Sequence, residues 1–117
     1  MPQYLVFYTH PDPHGWRTHL EPHLEWIAEH VESGTILASG PTTTHDENRT
    51  AALIISASDR RELDELIATD PFTRHGQVTD LTVIEWDPIF GILRDYSSTG
   101  GKDTRSVIVH ALRETTI

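Results

Sequence analysis

What most restricts this chain is the order in which two hydrophobic rhythms alternate along it. Residues 4–9, "YLVFYT", form a continuous apolar run rich in β-forming side chains and predict a strand. The turn-forming "HPDPHG" that follows, with two prolines and a glycine, ends it. From Trp16 or Thr18 to Ser33 the rhythm becomes helical: Leu20, Leu24, Ile27 and Val31 make one apolar stripe, and Gly34 supplies a C-terminal cap. Pro22 is tolerated only in a first turn, so the regular helix is expected to begin near Glu21. "TILASGP" (35–41) predicts a second strand, "TTTHDEN" a polar loop and "TAALIISA" (50–57) a third strand. Ser58 is the expected cap of a second helix over 59–69, with Leu63, Leu66 and Ile67 inward. "DPFTRHG" reads as a turn or a one-turn helix, and "DLTVIEW" (80–86) as the fourth strand. The order β-α-β-β-α-β predicts an α+β, ferredoxin-like split βαβ fold with an antiparallel sheet.

That unit occupies residues 1–87, and residues 88–117 form a C-terminal extension expected to pack on the domain or on a dimer. Within it, "DPIFGILRDYSS" reads as a short helix with Ile89, Phe90 and Leu93 inward. "STGGKD" is a linker, and "RSVIVHAL" is a strand or a short helix, its β-branched run favouring strand. Both helices of such a fold cover one sheet face, yet "YLVFY", "ALIIS" and "TVIEW" are apolar on both of theirs. A bare apolar sheet is most simply buried by a second copy, which predicts a homodimer through the sheet faces.

At 117 residues the chain suits one domain. A net charge of −9 disfavours nucleic acid and anionic membranes as partners and leaves small molecules. The absence of cysteine excludes thiolate metal sites and cysteine nucleophiles. No apolar run is long enough to span a bilayer and the N-terminus carries no secretory leader, so the cytoplasm is the expected compartment.

"HLEPHLEWIAEH" raises the question of chemistry. His19 and His23 at i, i+4 have the spacing of helical zinc ligands, but Pro22 disturbs the pair and no His-Glu-x-x-His pattern is present. No metal and no cofactor are therefore expected. His23 lies on the border of the apolar stripe, beside Trp26 and His30. There it is either a boundary histidine satisfied by one hydrogen bond or a general acid–base group that needs a carboxylate to orient it. Asp70, before Pro71 and Phe72, is an N-cap by its local sequence, and a second oxygen leaves it free to do both. Arg17, Arg49 and Arg74 are the cations able to gather around an anionic ligand. The helices are expected to run parallel to each other. A contact between His23 and Asp70 would then require "DPFTRHG" to fold back, or a partner protomer to complete the site.

The motifs "HLEWIAEHVESG", "ILASGP", "ALIISASDRRELDELIATDPF" and "VIEW" resemble those of the YCII-related family of the dimeric α+β barrel superfamily, over residues 4–86. The resemblance implies a ferredoxin-like protomer dimerised through its sheets, with a pocket between helix and sheet. It also implies an active-site His-Asp pair, falling on His23 and Asp70, with Arg17, Trp26, Arg49 and Phe72 as the expected substrate contacts. The implied activity is that of a small cofactor-independent lyase or isomerase moving a proton on a small organic molecule. A non-catalytic metabolite-binding module and a cofactor-free oxygenase are the alternatives.

Overall fold

The computed structural model describes residues 1–42 and 49–114. The loop expected over "TTTHDEN" thus lies, apart from Thr42, outside the described residues. Strands β1 (Gln3–His10), β2 (Ile36–Pro41), β3 (Arg49–Ser56) and β4 (Thr79–Trp86) form one antiparallel sheet in the order β2-β3-β1-β4. Helices α2 (Leu20–Glu32) and α3 (Arg60–Ala68) provide the two crossovers, so the architecture is the expected α+β, ferredoxin-like one.

β1, in the middle of the sheet, decides where the core sits. Its even-numbered residues Tyr4, Val6, Tyr8 and His10 are buried, and with Ile36, Leu53 and Ile55 they meet Trp26 of α2 and Leu63 and Ile67 of α3. Val6, Ile36, Ile55, Leu63 and Phe72 are almost wholly enclosed, each contributing about 1.5–3 kcal/mol by its removal from water. The odd-numbered side is open: Phe7 is 37% exposed and Ile84, on the neighbouring strand, 49%.

Local chemistry differs from expectation at several points. "HPDPHG" does not only stop the strand; Asp12 caps a short helix α1 (Pro13–Thr18), its carboxylate accepting from the His14 amide at 3.1 Å. α3 is capped by Asp59, which accepts from the Glu62 amide at 2.8 Å, and not by Ser58. In α2 the stripe Leu20–Leu24–Ile27–Val31 reaches the core only through Ile27. His23 and Trp26 point inward, while Leu24 is 53% and Val31 47% exposed. Gly34, at φ +80°, closes that helix as expected.

The C-terminal extension departs furthest. Residues 88–93 form no helix, since Gly91 takes φ +100°, and only a 3₁₀ turn at Arg94–Tyr96 follows. The "RSVIVHAL" segment is a helix, α5 (Thr104–Glu114), not a strand. Asp103 explains this: its carboxylate accepts from the Ser106 amide (2.9 Å) and hydroxyl (2.8 Å), a cap that overrides the β-branched run. The chain measures 54 × 30 × 23 Å with a radius of gyration of 16.7 Å. A compact domain of this length has about 13 Å. Among the described residues no helix is long and apolar enough to cross a membrane.

Candidate active site

β1 is antiparallel to β3, so the helices that follow these two strands also run in opposite senses. The expectation of parallel helices is therefore corrected: the start of α2 lies beside the end of α3. Two contacts record this. The Trp26 indole N–H donates to Thr69 Oγ1 at 2.9 Å, and His23 Nδ1 lies 2.8 and 3.0 Å from the two oxygens of Asp70. No partner protomer is needed for the pair.

Asp70 owes its place to the proline after it. It is the N-cap of the one-turn helix α4 (Pro71–Arg74), and its Oδ1 also accepts from the Phe72 amide at 2.9 Å. The carboxylate is 1% exposed and His23 7%. A carboxylate only accepts, so His23 Nδ1 carries the hydrogen and Nε2 is the ring nitrogen left for chemistry. The ring plane is fixed as well, since the imidazole stacks on Phe72 at 3.9 Å between centroids.

His23 and Phe72 line a cavity of about 270 Å³ between α2 and the outer half of the sheet. Leu20, Leu24 and Ile27 form its helical wall, Gly40, Pro41 and Ala51 its strand wall, and Trp16 and Arg49 its mouth. Three residues of the apolar stripe thus form one side of a cavity, Ile27 also packing against the core. The Arg49 guanidinium carbon stands 4.0 Å over the centre of the Trp16 ring, a cation–π contact that holds both side chains at the opening.

The other residues singled out in the sequence divide. Arg49 and Phe72 line the cavity; Arg17 is exposed on α1 outside its walls, and Trp26 is buried behind His23, braced on Thr69. His19 stacks flat on His75 at 3.9 Å. Among the described residues no group of three or more His, Asp or Glu is placed to hold a metal ion. A larger cleft of about 450 Å³ beside Trp86 and Tyr96 is lined by Glu85 and Asp87, without a histidine to pair with them.

His10, which no motif singles out, lies in the same cavity. It ends β1 on the buried face, is 4% exposed, and its Nδ1 donates to the Gln77 carbonyl at 2.6 Å. Burial pushes its pKa below the ordinary 6.5. The only sequence signal was parity: His10 follows Tyr4, Val6 and Tyr8 at intervals of two. Tyr8, edge-on to His10 at 5.3 Å, has its phenol pushed well up by burial and the nearby Asp70 charge, so it stays protonated.

The model of the YCII-related domain matches residues 3–87. The chain belongs to the YCII-related family. Among solved structures it is similar to 5-chloro-2-hydroxyhydroquinone dehydrochlorinase from Burkholderia phenoliruptrix, in complex with 2,5-dihydroxybenzoquinone. That match has a TM-score of 0.54 and 22% identity, covering 72% of this chain and 93% of the other. An antibiotic biosynthesis monooxygenase matches with a TM-score of 0.48 and 22% identity, over 74% of this chain and 97% of its own. No curated protein sequence matches. The structural likeness bears on the fold of this YCII-related protein.

Proposed function

We propose that this YCII-related protein is a cofactor-independent lyase or isomerase in which His23 moves a proton on a small, planar organic substrate held against Phe72. One observation carries the proposal: a buried His-Asp pair whose free Nε2 belongs to a residue lining an apolar cavity. Asp70 orients the ring and offsets the positive charge it gains, a role that needs neither metal nor redox group. Arg49 at the mouth favours a ligand bearing a negative oxygen. The dihydroxybenzoquinone bound by the dehydrochlorinase is of that kind, and it supplies the first compound to try. We take the working form to be a homodimer joined through the open sheet faces, with the C-terminal extension packed on it.

The test is a panel of hydroxylated quinols and quinones, beginning with 5-chloro-2-hydroxyhydroquinone, incubated with protein dialysed against chelator. Turnover of one member is expected, falling at least about 10²-fold in a folded His23→Ala variant. Saturable binding without turnover of any member would make the cavity a metabolite-binding site and overturn the proposal. So would an active His23→Ala protein.

A further inference from the structure

Resting on that proposal, and deepening it, a second imidazole in the cavity awaits a role. We propose that His10 is a second catalytic residue, which takes a proton from the bound molecule at one position while His23 returns one at another.

The geometry is that of a matched pair. Each ring has its Nδ1 engaged inside the protein, His10 on the Gln77 carbonyl and His23 on Asp70. Both acceptors lack hydrogens, so both rings carry a proton on Nδ1 and turn Nε2 away from it. Among the described residues neither Nε2 has a hydrogen-bond partner, although both residues are more than nine-tenths buried and both line the cavity. Phe72 sets their relation: its ring lies 3.9 Å from that of His23 and 4.7 Å from that of His10, so the imidazoles flank one aromatic wall.

Their surroundings divide the work. His10 leans on a neutral carbonyl and faces His23, Asp70 and Arg49; burial, with His23 and Arg49, holds it uncharged against the opposing pull of Gln77 and Asp70. An uncharged buried imidazole with a free Nε2 lone pair is a base. His23 has a full carboxylate at its back, so it is the ring placed to carry the positive charge and give up an Nε2 proton. Two titratable groups in unlike environments are how one site performs acid and base chemistry together.

In an isomerisation, His10 Nε2 takes the proton from one C–H or O–H bond, the electron pair shifts along the substrate, and the His23 imidazolium protonates the far atom. In an elimination His10 takes the proton, the freed electron pair forms a double bond, and the leaving group departs with its bonding electrons and the His23 Nε2 proton. Each turnover ends with His10 charged and His23 neutral, and proton exchange with water at the mouth restores both.

Imidazole ¹⁵N NMR of the full chain, titrated with 2,5-dihydroxybenzoquinone, tests this. The expected result is displacement of the Nε2 resonances of both His10 and His23. A shift at His23 alone overturns the role of His10 and leaves the proposed function standing. No shift at either removes the cavity as the binding site, and both proposals with it. His10→Asn gives the kinetic arm, since the asparagine amide can still donate to the Gln77 carbonyl while Nε2 is lost. In the turnover panel kcat/KM should fall at least about 10²-fold, with the acidic limb of the pH profile gone and the melting temperature kept within a few degrees. An unchanged acidic limb at full activity overturns the proposal.

Discussion

His10 and His23 show how much a single hydrogen-bond partner decides. Both are buried histidines on the walls of one cavity, but one backs onto an amide carbonyl and the other onto a carboxylate. The consequence for His10 can be measured without any ligand. Its pKa is depressed in the folded protein by burial, whereas in the unfolded chain it returns to about 6.5. Below that pH the unfolded state binds the proton more readily, so folding stability rises with pH across the interval between the two values. The contribution is whole above pH 6.5 and is lost as the pH falls toward the folded value. Thermal melts from pH 7.5 down to 5 should therefore show a declining midpoint, with a shallower decline in His10→Asn. Parallel curves for the two proteins would mean that His10 titrates as it does in water.

At the scale of the elements, α4 is one turn long and yet fixes the site. Pro71 starts it, Asp70 caps it, and the cap oxygen that accepts from the Phe72 amide also accepts from His23. Two substitutions separate these duties. Asp70→Asn can keep the cap but cannot offer two acceptors to His23, and its amide would favour the opposite tautomer. Activity should fall about 10²- to 10⁴-fold with only a small change in stability. Asp70→Ala loses the cap and leaves a buried imidazole N–H unpaired, costing about 2–4 kcal/mol in chemical denaturation. Equal stability of the two variants would show that the cap contributes nothing. "TDPF" made Asp70 legible from sequence because the cap chemistry is local, and His23 stood out by its place on a stripe. What periodicity could not tell is which side of α2 faces the core. Leu20, Leu24 and Ile27 form the more apolar stripe, but the buried residues are His23 and Trp26, whose ring N–H groups Asp70 and Thr69 satisfy, with Ile27 packing beside them. For α5 the sequence leaves strand and helix open: its β-branched residues speak for strand, and the Asp103 cap that starts the helix lies in the preceding linker.

At the scale of the whole molecule, α2 and α3 pack on one side of a single sheet. Leu5, Phe7, Ile54 and Ile84 share the other side, and Phe7 and Ile84 are 37% and 49% exposed. An antiparallel sheet can leave one face to water when that face is polar, but this one is apolar, and among the described residues Phe7 and Ile84 remain uncovered. The C-terminal extension adds two exposed apolar side chains, Phe90 and Ile92, 50% and 94% exposed. An eleven-residue helix such as α5 is marginal in isolation, so it too gains from a surface to pack on. These features favour pairing of two copies face to face, with the extension of each adding to the contact. The mass in solution by light scattering should then be about 26 kDa at micromolar concentration, twice the 13.2 kDa of the chain. The melting temperature should rise with protein concentration, because dimerisation stabilises only the folded chain. Ile84→Asp would place a charge at the centre of the contact and drive the species to 13.2 kDa, while His23 and Asp70, on the helix-covered side, keep their pairing. A wild-type chain that stays at the monomer mass, with a melting temperature independent of concentration, would show that the open face is covered by something other than a second copy.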